Sequence, residues 1–178
     1  MGKNFYALGL MSGTSMDGID ASIISSNGID DFEIMQNKYY KYDDKFINKL
    51  SNLKNKIDKL DDFKLHFNDL KSIEREITIL HAKFTNDILM KFKNKIDLVG
   101  FHGQTIYHNP DEKISKQLGD GKLLSQLTKT TVVYDFRQND LKKGGQGAPL
   151  APIFHTIINK KLENSKKSFL NIGGIANE

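Results

Sequence analysis

The sequence predicts an α/β domain built on a mixed sheet with flanking helices. Three strand-like runs come first, at residues 5–10, 19–25 and 32–40, with a turn sequence (SNG) at 26–28 between the last two. A helical region follows, and apolar strands then alternate with short helices. Consecutive strands followed by alternating helix and strand are typical of an α/β domain.

Local patterns predict each later element. Residues 43–95 are predicted to be helical, because apolar side chains recur there at spacings of three and four, as on one face of an amphipathic helix. That stripe consists of Ile73, Ile77, Leu80, Phe84 and Ile88. Residues 96–101 and 132–136 predict strands parallel to the first one. Residues 123–129 and 151–160 predict helices, and residues 168–172 predict a last strand.

Composition excludes several classes of protein. The 178 residues carry a net charge of +4 and include no cysteine. This length is sufficient for one domain with a buried core, and the lack of cysteine excludes a disulfide framework. Arg75 and Arg137 are the only arginines, so the arginine clusters typical of nucleic-acid binding are missing. No apolar run is long enough to span a membrane, and a cytoplasmic location is expected.

A polar turn within residues 9–20 (GLMSGTSMDGID) is the most informative segment. Its glycines let the backbone approach a ligand closely, and successive amides beside hydroxyls form a concave anion site. Asp17 and Asp20 would repel a bare phosphate, so they indicate a divalent metal between carboxylate and phosphate. The segment predicts a nucleoside triphosphate site, although an ordinary polar hairpin turn explains this segment alone equally well.

Further polar residues follow the predicted strands, where open α/β sheets bind ligands. His102 and Gln104 follow the strand at 96–101, and this position favours ligand hydrogen bonding over simple packing. Asp120 precedes the helix at 123–129. It is either a ligand contact or the N-cap of that helix, and the sequence favours neither.

The segment after the strand at 132–136 carries a candidate base. Arg137 and Asp140 are followed by a glycine-rich run, residues 144–150 (GGQGAPL), which opens into the helix at 151–160. The amides of that run are suited to an anion or a sugar hydroxyl. A loop carboxylate between an arginine and a glycine-rich turn is well placed to act as a general base, while a solvated loop aspartate is the commoner case.

Taken together, these motifs resemble the anhydro-N-acetylmuramic acid kinase family. The matching segments are GLMSGTSMDGID (9–20), FHGQT (101–105), QLGD (117–120), VVYDFRQND (132–140), GGQGAPLAPIFH (144–155) and LNIGGIAN (170–177). The resemblance implies an actin/hexokinase/Hsp70-like (ribonuclease H-like) domain in a protein with two such domains around an ATP cleft. It also implies a bacterial cell-wall recycling reaction that opens the 1,6-anhydro ring of anhydro-N-acetylmuramic acid and phosphorylates O6, with ATP and Mg²⁺ as cofactors.

The resemblance assigns a role to each motif. The residues that would hold ATP are Gly13, Thr14, Ser15, Met16, Asp17, Gly18, Ile19 and Asp20, with Asp17 and Asp20 facing the metal. Asp140 would be the base that activates water for attack at the anomeric carbon. The residues that would contact the sugar are His102, Gln104, Asp120, Arg137 and Gln146. Arg137 suits the lactyl carboxylate best, because its guanidinium binds a carboxylate at two points.

The chain departs from the family in length, since family members are about twice as long. We expect residues 1–170 to form an N-terminal domain and residues 171–178 to begin a second one, with Gly173 and Gly174 starting its phosphate loop. A truncated product, a half that needs a partner chain and a fragment all remain open, and so does a homodimer. Two alternatives to the kinase also remain: a silent half that binds sugar or nucleotide, and a glycosidase that uses Asp120 and Asp140.

Overall fold

The computed structural model describes residues 4–162, 168–172 and 176–177. Its strands are β1 (Phe5–Ser12), β2 (Gly18–Ser26), β3 (Phe32–Lys41), β4 (Leu98–Asn109), β5 (Ile114–Leu118), β6 (Thr131–Tyr134), β7 (Asn171–Ile172) and β8 (Ala176–Asn177). Its helices are α1 (Asp44–Lys54), α2 (Leu60–Leu65), α3 (Phe67–Lys91), α4 (Gly121–Thr128), α5 (Gln138–Lys142) and α6 (Ala151–Lys161). The expected start of a second phosphate loop, Gly173 and Gly174, lies outside the described residues.

A mixed sheet forms the centre of the fold. The strand order is β3-β2-β1-β4-β5, and β6 pairs with β4 beside β5. β2 is antiparallel to both β1 and β3, while β4 is parallel to both β1 and β6. The prediction of an antiparallel meander with two later strands parallel to the first is therefore confirmed. β7 and β8 form a separate two-stranded sheet.

The core lies between one face of this sheet and the helices. Alternate residues of β1 and β2 point into it, among them Leu8, Leu10, Ile19 and Ile23, each at most 3% exposed. The predicted helical stripe meets them from α3, where Ile73, Ile77 and Ile88 are buried and Leu80 and Phe84 pack at the margin. The amphipathic period of α3 therefore reports core packing, as the sequence predicted.

The other face of the sheet carries exposed apolar side chains. Met11 and Phe136 are each 40% exposed and line a groove of about 430 Å³ that also includes Gly9, Asp20 and Gly100. Helix α6 reaches the far end of β3, where Phe154 packs on Phe32 with 4.7 Å between ring centroids. Among the described residues, no helix has both the length and the apolar composition needed to cross a bilayer.

The predicted last strand at 168–172 is shortened to Asn171–Ile172. Two other strand boundaries were wrong and one helix was missed, each for a local reason. β4 runs on to Asn109 because its second half pairs with β5, so His102 and Gln104 lie inside a strand and not after one. β6 stops at Tyr134 because Asp135 adopts a left-handed conformation, with φ of 59°. The short helix α5 was not predicted, and it places Asp140 on a helix rather than in an open loop.

Candidate functional site

The register of the parallel strands brings the polar motifs to one edge of the sheet. Ser12, the last residue of β1, pairs with Gln104, and Tyr134, the last residue of β6, pairs with Phe101. The ends of β1 and β6 therefore lie beside the same short stretch of β4. In open α/β sheets this edge, outside the carboxyl ends of parallel strands, is where ligands bind.

The β1–β2 turn is closed and anchored from beneath. The amide of Met16 donates to the carbonyl oxygen of Gly13 at 3.1 Å, and Met16 has a φ of 57°. The amide of Tyr42 donates to the carbonyl oxygen of Asp17 at 2.8 Å. In the part of the chain that the structure describes, the exposed Thr14 makes no hydrogen bond. The turn thus has a fixed base and a polar upper surface.

Asp17 and Asp20 lie at the exit of this turn, close to Tyr39. The Ser15 hydroxyl donates to the Asp17 carboxylate at 2.5 Å and lowers the pKa of that carboxyl. Tyr39 pairs with Asp20 across β2 and β3, and its ring fills the space that a side chain at Gly18 would need. Desolvation and the Asp17 carboxylate raise the pKa of the Tyr39 phenol, so the tyrosine stays protonated beside two carboxylates.

The two carboxylates fit the way in which proteins hold magnesium with a nucleotide. Within the described ranges, no group of three or more histidine, cysteine, aspartate or glutamate side chains forms a metal cage. Mg²⁺ is commonly bound by one or two carboxylates together with substrate phosphates. Asp17 is ionised and exposed beside the turn. Asp17 and Asp20 therefore match a metal that arrives with its phosphates.

His102 and Arg137 form the centre of a second cluster at this edge. Arg137 donates from Nε and Nη2 to Nε2 of His102, at 3.0 and 2.9 Å, and from Nη1 to the carbonyl oxygen of Gly147 at 2.7 Å. Nδ1 of His102 lies 2.8 Å from the carbonyl oxygen of Gly103. Desolvation lowers the pKa of His102, and the positive charge of Arg137 acts in the same direction. His102 is therefore neutral. Its protonated Nδ1 donates a hydrogen bond to the carbonyl oxygen of Gly103.

Asp140 joins the same cluster through the glycine-rich turn. Its Oδ2 accepts a hydrogen bond from the amide of Gly147 at 2.8 Å, and its carbonyl oxygen accepts one from the amide of Gly145 at 2.9 Å. A methyl group at Gly145 would lie 2.2 Å from Oδ2 of Asp140. The carbonyl oxygen of Gly147 thus accepts a hydrogen bond from Arg137, and the amide of Gly147 donates one to Asp140. The base candidate remains exposed but is held at a fixed place.

A small pocket lies next to the His102 cluster. Its volume is about 230 Å³, below the roughly 300–1,000 Å³ of drug-sized ligand pockets. Aromatic rings and polar side chains share its lining, which includes Phe101, Tyr134, His102, Lys116, Gln117 and Gln138. Aromatic surface with converging side-chain amides provides both apolar contact and hydrogen bonds to a small polar ligand.

The other residues implied by the resemblance have different positions. Asp120 is the N-cap of α4 and accepts hydrogen bonds from the amides of Lys122 and Leu123 at 2.9 and 3.0 Å. Gln104 is fully buried, with both ends of its amide bonded inside the protein. Gln146 is exposed between the glycines of the turn. Asp120 and Gln104 are thus fixed in structural hydrogen bonds, and Gln146 is free to meet a ligand.

The turn residues divide in a similar way. Ile19 is fully buried in the core, and Met16 packs against it. Thr14, Ser15, Asp17 and Asp20 are exposed. The two hydrophobic residues of the segment therefore anchor the turn, and its hydroxyl and carboxylate side chains are left at the surface.

Sequence reasoning missed Tyr39, Tyr42 and the pocket residues of β5 and α5. The position of Tyr39 depends on a bulge in the hairpin, because the register between β2 and β3 shifts by one residue between Ile23 and Ile24 and so places Tyr39 opposite Asp20. The position of Tyr42 depends on where α1 begins. The pocket depends on the packing of α5, a helix too short to show a periodic signal in the sequence.

Comparison with known proteins agrees with the motifs. The family model described as "Anhydro-N-acetylmuramic acid kinase" matches residues 5–178. Proteins with that name are 52% identical in Pelagibacter ubique (strain HTCC1062), over 99% of this chain and 48% of the relative, and 42% identical in Rhizobium etli, over 96% and 48%. A third, from Agrobacterium fabrum, is 38% identical over 99% of this chain and 49% of the relative.

These matches cover the whole ordered set of motifs, from the β1–β2 turn to the glycine-rich turn. The chain spans about half the length of the curated relatives it matches. A family model that extends over residues 5–178, together with this level of identity, settles the family. The chain belongs to the anhydro-N-acetylmuramic acid kinase family.

Proposed function

We propose that this chain supplies the phosphate turn and the catalytic base of an ATP-dependent kinase that opens the anhydro ring of anhydro-N-acetylmuramic acid. The product is N-acetylmuramic acid 6-phosphate, formed in bacterial cell-wall recycling in the cytoplasm. The observation that carries the proposal is the cluster of His102, Arg137 and Asp140 around Gly147, at the sheet edge that also holds the β1–β2 turn. The family name of the relatives gives the substrate.

In the proposed reaction Asp140 takes a proton from the water that attacks the anomeric carbon. The bond between that carbon and O6 breaks, and O6 bonds to the γ-phosphorus of ATP. The bond from that phosphorus to the bridging oxygen breaks in turn, and ADP leaves. The hydrogen bond from the Gly147 amide orients the Asp140 carboxylate and leaves its other oxygen for the water. General base catalysis of this kind contributes about 10²–10⁴ in rate.

ATP with Mg²⁺ would supply the phosphoryl group and neutralise its charge in this site. We assign the residues from Gly13 to Asp20 to this role, with Asp17 and Asp20 toward the metal. Phosphoryl transfer depends mainly on positioning and charge neutralisation. The turn is suited to positioning, because hydrogen bonds from beneath hold its backbone in place.

The sugar is assigned to the pocket of about 230 Å³ beside His102. Gln146 is the predicted contact whose polar atoms the structure leaves within reach of a ligand. His102 lines the pocket with its ring, while both of its nitrogens are held by Arg137 and Gly103. Arg137 was expected to bind the lactyl carboxylate, but its hydrogen bonds to His102 and Gly147 fit better with a role in holding the site together. We place Gln104 and Asp120 among the structural residues for the same reason.

The test is turnover after complementation. The chain is mixed with, or fused to, the C-terminal half of the Pelagibacter ubique relative, and phosphorylation of the anhydro sugar is followed in a coupled assay. Asp140→Asn should lower kcat by about 10²–10⁴ with nucleotide affinity preserved. Asp61→Asn, which changes an exposed aspartate on α2 away from the pocket, is the control and should retain activity. Normal turnover in Asp140→Asn would place the base elsewhere.

A second candidate is a silent half that binds sugar or nucleotide without turnover. In either candidate we assign residues 1–170 to an N-terminal domain and residues 171–178 to the start of the next one. The separate β7–β8 sheet supports that boundary. The partner of the kinase is a C-terminal half, whereas a second copy of the chain is the partner of a silent half. Complementation separates the two candidates, because only the kinase regains turnover.

A further inference from the structure

A buried hydrogen-bond network lies directly beneath the β1–β2 turn. Its three side chains are Ser12, Tyr42 and Gln104, which are 1%, 3% and 0% exposed. They come from the end of β1, from the residues between β3 and α1, and from the middle of β4. Because they are buried, none of them is available to touch a ligand on the turn.

Gln104 holds the entrance of the turn. Its Oε1 accepts a hydrogen bond from the Ser12 hydroxyl at 2.6 Å, and its Nε2 donates to the carbonyl oxygen of Gly13 at 3.0 Å. That carbonyl is the one that accepts the amide of Met16 and closes the turn. One side chain of β4 thus fixes both the residue before the turn and its first carbonyl.

Ser12 and Tyr42 hold the exit. The Ser12 hydroxyl also lies 3.1 Å from the carbonyl oxygen of Gly18, and it accepts a hydrogen bond from the Tyr42 phenol at 3.2 Å. The Tyr42 amide donates to the carbonyl oxygen of Asp17. Burial raises the pKa of the phenol, so Tyr42 remains a hydrogen-bond donor at every physiological pH.

We propose that Gln104 and Tyr42 are positioning residues, which hold the β1–β2 turn in a preformed shape for the phosphates of the nucleotide. This inference rests on the proposed function for its ligand, but the shape of the turn does not depend on any ligand. A preformed turn loses less conformational entropy when it binds. Removing the network should therefore loosen the turn and weaken phosphate binding together.

The experiment measures amide hydrogen exchange of this chain by NMR, and then amide shifts on titration with Mg-ATP. In Gln104→Met, the Met16 amide should exchange faster by about tenfold or more, equivalent to about 1.4 kcal/mol. Tyr42→Phe keeps the ring and should show a smaller rise, mainly at the Tyr42 amide. Thr128→Val is the control, because it removes a different buried hydrogen bond, to the carbonyl oxygen of Leu124 on α4.

The positioning role requires that exchange rises at the turn while the amides of β2 and β4 stay protected. Where the wild-type turn binds Mg-ATP, the affinity of the variants should also fall by a similar factor. Unchanged exchange at Met16 and Tyr42, or an equal rise across the whole sheet, overturns the proposal. A wild-type chain whose turn does not respond to Mg-ATP, but whose variants loosen it locally, supports the positioning role and contradicts the nucleotide site. If Gln104→Met does not fold, Tyr42→Phe decides the question on the same criteria.

Discussion

Acidification should destabilise this protein through a single buried histidine, His81. The ring lies fully inside the core on α3, with Nδ1 2.8 Å from the carbonyl oxygen of Ile77. It makes an edge contact with the Phe101 ring, with 4.9 Å between the ring centroids. Within the described residues, Nε2 of His81 has no hydrogen-bond partner, and neither does the hydroxyl of Thr85 one turn later. A proton on Nε2 would therefore place an unpaired charge in the core.

The size of the effect follows from the shift in pKa. Burial lowers the pKa of His81 from 6.5 to about 4. Between these two values the unfolded chain binds a proton that the folded chain does not, so the free energy of unfolding rises with pH. Integrating this difference gives a loss of about 2 kcal/mol between pH 7 and pH 5 and about 3 kcal/mol by complete protonation. The stability is fully present above pH 6.5 and falls below it.

Urea unfolding at pH 7 and pH 5 tests this, followed by far-UV circular dichroism because the chain has no tryptophan. His81→Leu removes the titrating group and the unpaired nitrogen at similar volume. At pH 7 the variant should lie within about 1 kcal/mol of the wild type, because replacing polar partners by apolar ones of the same shape is nearly neutral. At pH 5 it should be more stable than the wild type. Equal pH dependence in the two proteins would refute the reasoning.

Three further outcomes are expected. Gly145→Ala should displace the Asp140 carboxylate, because its methyl group would lie 2.2 Å from Oδ2; the complemented enzyme should lose kcat with little change in the KM for Mg-ATP. Asp120→Ala should lower the free energy of unfolding by about 1 kcal/mol through loss of the α4 N-cap, and sugar binding should stay unchanged. Loss of sugar binding would instead show that Asp120 contacts the ligand. The chain alone should show no turnover in the coupled assay, since closure of a second domain excludes water from phosphoryl transfer; turnover of about 1–10³ per second would show that half of the cleft is sufficient.

The sheet was predictable because its signals are local. Alternating apolar residues in β1 and β2 and the three-four spacing in α3 each depend on one period, and their order gave the meander and the parallel strands. Boundaries were less accessible. The predicted strand at 96–101 stopped where its apolar residues stop, whereas the backbone of β4 continues for eight more residues beyond Phe101 because β5 supplies a new partner.

The site was predictable as a set of motifs but not as a set of roles. Sequence alone indicated Asp17, His102, Arg137 and Asp140, and the structure places the last three in one hydrogen-bonded cluster. The sequence alone could not distinguish Gln104, which is buried, from Gln146, which is exposed. Both are polar residues beside glycines, and only the packing of other elements decides which of them faces solvent.

A bulge in β4 explains how one strand serves both parts of the site. Between Leu10 and Ser12 of β1 the register on β4 advances from Phe101 to Gln104, so β4 carries one extra residue. Such a residue interrupts the alternation of faces. Without it, Gln104 would lie on the face opposite Phe101; with it, both are buried, and His102 between them stays partly exposed beside Arg137. Gly103 makes this possible with a φ of 72°, and a side chain there would lie 2.3 Å from the carbonyl oxygen of Leu118. The β1–β2 turn and the cluster of His102, Arg137 and Asp140 therefore share one structural element. A change in the bulge should move both of them.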